Sequence, residues 1–281
     1  MNLRVDLTTI GSSAANYNAN YLGMLLGAGF LTQVNGVASV TASSVTNVNN
    51  FAGAGYAATD TGTLISAIIK GAVEYSAITE VSGTDVSVSP AFSAQFTGTP
   101  DIRGTQTWYP GSRTLTGTRT HSLTFRVDGV NFRSYAYGCV LESMAISLDN
   151  GRLMADFTYQ SALIQDDHAS AVGPIEPTYN AGAPPFFRNS YVVISGGSPS
   201  SLTNATSADE LSRIAVDCED FSLTVTNTLT PLGHSESILA MSDMEITDLN
   251  VELTLTLSTV NTTIANDYFN RTVRQVLVGT G

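Results

Sequence analysis

Between Ser143 and Gln160 apolar and polar residues trade places one position at a time. Met144, Ile146 and Leu148 alternate with Ser143, Ala145 and Ser147; beyond Asp149-Asn150-Gly151, Leu153, Ala155, Phe157 and Tyr159 alternate with Met154, Asp156, Thr158 and Gln160. Successive side chains of a strand point to opposite faces, so a period of two predicts a strand with an apolar face and a polar one. An Asn-Gly step between two such runs is hairpin chemistry. The segment therefore predicts a hairpin with one core face and one largely polar face.

The last third repeats the pattern. Phe221, Leu223 and Val225 point inward from a strand opening at Cys218, and Leu249, Val251, Leu253, Leu255 and Leu257 alternate unbroken with Asn250, Glu252, Thr254, Thr256 and Ser258. Cys139 and Cys218 each lead into an alternating strand that closes on Asn and is followed by a second strand, with spacings that differ by two residues, an order compatible with duplication.

Helical spacing is rarer. Tyr21, Leu22, Leu25, Leu26 and Phe30 predict a helix in the second half of 13–30, which Gly27 and Gly29 weaken at its end; 31–61 reads as short strands and loops. Within 61–73 Leu64, Ile65, Ile68 and Ile69 suit a helix face while the β-branched residues, and the alternation from Val81 to Val88 that follows, suit strands; the balance favours a short helix and then strand. Ser207-Ala208-Asp209-Glu210 is a capping box for another short helix. A final helix is predicted over 263–278, with Ile264, Tyr268, Val273, Val276 and Leu277 on one face and Gly279 as its stop. The balance is a mostly β protein with flanking helices.

Two stretches rich in Pro, Gly and Thr, 89–120 and 166–204, read as long loops. They carry Phe96, Trp108, Tyr109, Tyr179, Phe186 and Phe187, and aromatic rings on loops need cover. A neighbouring subunit would supply it, and so would the chain's own core.

Composition sharpens this picture. In 281 residues only 13% are charged, against about 25% in an average soluble protein, so much of the surface is polar but uncharged, which suits packing against other subunits. A chain of this length buries a substantial core without staples, as one large β domain or as one domain with long excursions. Twenty-four acids against twelve Lys and Arg give a formal net charge of −12. That balance excludes a binder that grips nucleic acid through its phosphates, yet suits a wall past which DNA must slide. A secreted β protein with a soft polar surface would share this composition.

Candidate chemistry is sparse. Cys139 and Cys218 read as small packed residues, a bridge between them being left open, and they form no metal cluster. The apolar run from Leu22 to Leu31 is shorter than the roughly 20 residues a membrane span needs, and Asp6 and the polar stretch through Asn20 argue against a signal peptide. Asp166-Asp167-His168 is the nearest approach to a metal site, but no second cluster stands at ligand spacing. Asp217, Glu219 and Asp220 could serve glycoside hydrolysis only if they faced a common cleft, and alternation sets Asp220 opposite Glu219. No nucleophile elbow, phosphate loop or zinc-protease motif is present, so neither an enzyme nor a cofactor is expected.

The stretches YGCVLESMAISLDNGRLMADFTYQS, CEDFSLTVTNTLTP, MSDMEITDLNVELTLTLST and NDYFNRTVRQVLV resemble the major tail tube proteins of long-tailed bacteriophages, with good coverage from about Phe125 onward and a weaker echo in LGMLLGAGF. The resemblance implies a single antiparallel β-sandwich domain with a flanking helix. It implies homohexameric rings whose inner sheets join into a continuous β-barrel, stacked into a tube that meets other tail proteins. DNA would pass through the lumen without specific binding and no membrane would be involved; the protein would be assembled in the host cytoplasm into the virion tail. Lumen-facing candidates on this basis are Asp156, Thr158, Gln160, Asn250, Glu252, Thr254 and Thr256, and the two long loops with their six aromatics become candidates for contacts between subunits or rings. Alternative readings are another virion β protein (distal tail, terminator or decoration) and a carbohydrate-binding sandwich using Trp108 and Tyr109 as a stacking platform.

Overall fold

A computed structural model describes residues 1–6, 21–34, 40–41, 44–47, 49–52, 55–69, 72–94, 101–104, 106–110, 122–128, 132–167, 191–195, 213–233, 241–258, 262–271, 274 and 276–279. In chain order its elements are β1 (Asn2–Asp6), α1 (Tyr21–Gly27), β2 (Phe30–Val34), β3 (Val40–Thr41), β4 (Ser44–Asn47), β5 (Asn50–Ala52), a 3-10 turn (Ala58–Asp60), β6 (Leu64–Ile69), β7 (Ala72–Ser82), β8 (Asp85–Ser89), β9 (Asp101–Gly104), β10 (Gln106–Pro110), β11 (Leu123–Asp128), β12 (Arg133–Asp149), β13 (Arg152–Gln160), β14 (Leu163–Asp167), β15 (Tyr191–Ser195), β16 (Arg213–Val216), β17 (Cys218–Gly233), β18 (Met241–Leu257), α2 (Thr262–Asn270) and β19 (Val276–Gly279). The protein is mostly β with antiparallel pairing, as the alternation predicts. It divides into two compact units, one of Met1–Thr32, Trp108–Pro185 and Phe221–Thr254, the other of Gln33–Thr107, Phe186–Asp220 and Leu255–Gly281.

The first unit is built on a seven-stranded sheet ordered β1-β13-β12-β17-β18, with β11 and β14 also pairing β12. The predicted hairpin is present: Asp149 faces Arg152 across Asn150 (φ 52°) and Gly151 (φ 75°), two consecutive left-handed residues that make the tight turn Asn-Gly favours. Along β13 the burial alternates as the sequence does, with Leu153, Ala155, Phe157 and Tyr159 at 4% exposure or less. Ala155, Phe157 and Tyr159 join Leu25, Ala28 and Phe30 from and just after α1, with Cys139, Leu141, Met144 and Val225, in one apolar core.

In the second unit the sheet order is β3-β9-β6-β7-β8-β5-β4, around a core that includes Phe51, Ile65, Ile78, Val86, Val88 and Ile102. A separate three-stranded sheet runs β16-β15-β19. The helix expected within 61–73 is instead strand, β6 followed by the start of β7. Ile65, Ala67 and Ile69 are buried while Ile68 is exposed, so the working period is two, with small Ala67 as the member that a search for large apolar residues passes over. Its β-branched isoleucines also sit more comfortably on a pleated strand.

The final helix is shorter than expected. α2 stops at Asn270, Arg271 turns left-handed (φ 51°), and Val276–Gly279 forms β19, pairing Val278 with Val192, Leu277 with Val193 and Ile194 with Val276. A Val-Leu-Val run has little helical preference to lose, and pairing with buried Val192, Val193 and Ile194 decides its conformation. The capping box at 207–210 lies outside the described residues.

Candidate functional site

The candidate surface is the polar face of the long sheet. β12 is its spine: over 140–149 it pairs with β13, over 143–147 with β17, over 133–137 with β14, and over 133–136 and at Cys139 with β11. Residues directly opposed in an antiparallel sheet project to the same face. One face therefore carries the rows Leu3–Phe157–Met144–Val225 and Val5–Ala155–Ile146–Leu223, all packed in or against the core. The other carries Asn2–Thr158–Ser143–Thr226, Arg4–Asp156–Ala145–Thr224 and Met154–Ser147–Ser222. Every one of these is exposed or half-buried.

Local chemistry locks this face in register. A bulge between Leu141 and Ser143 leaves Glu142 without a register partner on β13. Beside it the Leu141 N–H donates to the Ala28 carbonyl (3.3 Å) and the Leu141 carbonyl accepts from buried Asn227 Nδ2 (2.9 Å), so neither is orphaned. Tyr159 Oη donates to the Leu25 carbonyl at 3.0 Å, and burial pushes the phenol well above its ordinary pKa, so it stays a neutral donor. On the polar face Arg4 spans Asp149 (2.9 Å) and Asp156 (3.6 Å); all three are about half-exposed, so the bridge orients side chains more than it stabilises.

The small sheet of β11, β12 and β14 carries a tighter cluster. Asp128 accepts from Arg133 Nε and Arg126 Nε, both at 2.8 Å. The hydrogen bond from Arg133 leads in holding the Asp128 carboxyl below the usual carboxylate range, with the Arg126 charge assisting against partial desolvation.

At the sheet's end β18 is 17 residues long and lies beside β17. Its alternation is present, with Asn250, Glu252, Thr254 and Thr256 exposed, but Val251 and Leu253 on the apolar side are 50% and 37% exposed. Asp156, Thr158 and Gln160 leave β13 on the polar face, and β13 and β18 belong to the same sheet. Of the aromatic loop residues, Trp108 and Tyr109 fall within the strand β10, and β9 also lies inside the stretch read as a loop. Phe96, Tyr179, Phe186 and Phe187 lie outside the described residues. Two features went unread in the sequence: the Asp128 cluster, for which charges at 126, 128 and 133 are the available signal, and, on the expected helix α2, the exposure of Tyr268 and Phe269.

Among the described residues no three His, Cys, Asp or Glu side chains come together to hold a metal, and no helix is long and apolar enough to cross a membrane. Both cysteines are free, Cys139 buried and Cys218 half-buried, and burial raises both thiols above their ordinary pKa, which disfavours the reactive thiolate. His168 and the other two histidines lie outside the described residues.

Comparison with protein-family models finds that of the phage tail tube protein matching residues 6–280. The chain belongs to the phage tail tube protein family. It is thus a structural component of a phage tail, from a family of structural proteins and not of enzymes. No curated protein matches it.

Proposed function

We propose that this tail tube protein assembles as homohexameric rings in which the polar face of the long sheet lines a DNA channel. The supporting observation is the two-faced sheet, whose outer rows are Ser, Thr, Asn, Asp and Arg side chains interrupted only by Ala145 and Met154. Such a face needs water on one side and a core on the other, and a water-filled barrel provides both.

The sheet also offers the means of closure. β1 and β18 stand at the two ends of its strand order, and a 17-residue edge strand with half-exposed Val251 and Leu253 is a template for pairing with another chain. Joining the β18 edge of one copy to the β1 edge of the next turns open sheets into a barrel without an edge. Asp156, Thr158, Gln160, Asn250, Glu252, Thr254 and Thr256 then face the lumen. With a net charge of −12 the chain as a whole repels phosphates, so DNA slides past instead of sticking. Rings stack into a tube through 89–120 and 166–204, the ends meet other tail proteins, and assembly proceeds in the host cytoplasm.

Negative-stain electron microscopy of purified protein over a range of concentrations tests this reading. Tubes of uniform width with a stain-filled centre are expected. A monodisperse monomer at high concentration would end the proposal.

A further inference from the structure

α2 presents an apolar surface that its own unit leaves bare. Tyr268 and Phe269 are 83% and 78% exposed, stacked edge to face with ring centroids 5.6 Å apart. With Ile264, Asp267 and Arg271 they line an open groove. Asp267 is gripped by Arg274 through two bonds of 2.6 and 2.9 Å, so its charge is compensated and exposed Arg271 gives the groove a positive character.

A second bare apolar surface has the opposite sign. Register puts Phe125, Val127, Ser134, Ala136, Ile164 and Asp166 on one face of the β11-β12-β14 sheet. Phe125 and Ala136 pack against the core, whereas Val127 and Ile164 are 45% and 65% exposed beside exposed Asp166. The face thus runs from buried to bare, with a carboxylate at its bare end.

We infer that the α2 groove of one copy docks on the Val127/Ile164 face of another copy, with Arg271 meeting Asp166. Charge selects this acceptor among the bare apolar pairs. Ile68 and Val73 flank Lys70 in sequence, which has the same sign as Arg271, and Val251 and Leu253 sit on the edge strand assigned above to sheet joining. A second copy is the fitting partner because the chain itself is acidic, with 24 acids to 12 cations, and so attracts an exposed arginine. The two surfaces differ, so the contact is head-to-tail and propagates from copy to copy instead of closing as a two-fold dimer. This inference rests on the tube reading and adds to sheet joining a second contact made by side chains.

Charge exchange tests it. Arg271→Glu and Asp166→Arg are made singly and together, folding is checked by circular dichroism, and assembly is measured by sedimentation and negative stain. Each single change sets like charges against each other and is expected to lower the assembled fraction about tenfold at a fixed concentration near the threshold, while the double change restores it. Assembly unaffected by either single change, or impaired singles that the double does not rescue, overturns the docking contact and leaves the tube reading standing. Wild-type protein that stays monomeric overturns both.

Discussion

Gly29 lies where no other residue fits. A Cβ built there would stand 2.4 Å from Leu141 Cβ, in a core that cannot give way because Leu141 is fixed at both its N–H and its carbonyl. Gly29→Ala is expected to cost about 1–3 kcal/mol through overpacking, read as a lower midpoint in chemical denaturation with the slope unchanged. Asp128 makes a prediction about acid. Its folded pKa lies below the ordinary value of 3.8, so its contribution is complete above that value and is lost as pH falls through the folded pKa. Wild-type protein should therefore melt above Asp128→Asn at neutral pH, and the gap should close at the acid end of a thermal melt series; a gap constant with pH would mean the carboxylate's charge is not what matters. In the sequence the Asp128 cluster shows only as charges at 126, 128 and 133, and the constraint on Gly29 does not show at all. Close approach of Gly29 to Leu141 and the joining of Asp128 to Arg133 depend on where strands meet, and no local spacing encodes that.

At the scale of elements the sequence is more informative wherever one face is buried. The β12-β13 hairpin could be read completely, because an alternating run and an Asn-Gly turn each demand the same register. Gly151→Val should cost about 1–2 kcal/mol, since Gly151 is left-handed (φ 75°) with open space around it, leaving backbone strain as the whole effect. A thermal melt measures this, and Gly151→Asn, which tolerates that conformation, should recover most of the loss. β6 and β19 were less legible for a common reason. Short runs of Ile, Leu and Val fit a helical face or a strand until a partner strand is known, and the partners β7 and β15 are set by tertiary pairing. The apolar side of β18 was visible in sequence as alternation, but its half-exposure was not, because edge position belongs to the sheet and not to the strand.

For the whole molecule, the surfaces left bare are more informative than the core. Val251→Lys places a charge on the apolar side of an edge strand at a position already 50% exposed, so the subunit should keep its melting temperature to within a few degrees while losing assembly, as judged by sedimentation. Unchanged assembly would detach β18 from the joining of copies. Whether the polar rows of the long sheet face a channel is read from a cryo-electron microscopy reconstruction of assembled protein. A hollow tube is expected, with Asp156, Thr158 and Glu252 on the lumen wall and Phe157 and Tyr159 behind them in the core. A tube with Asp156 and Glu252 on its outer surface, or a wall built from the sheet of the second unit, would contradict it.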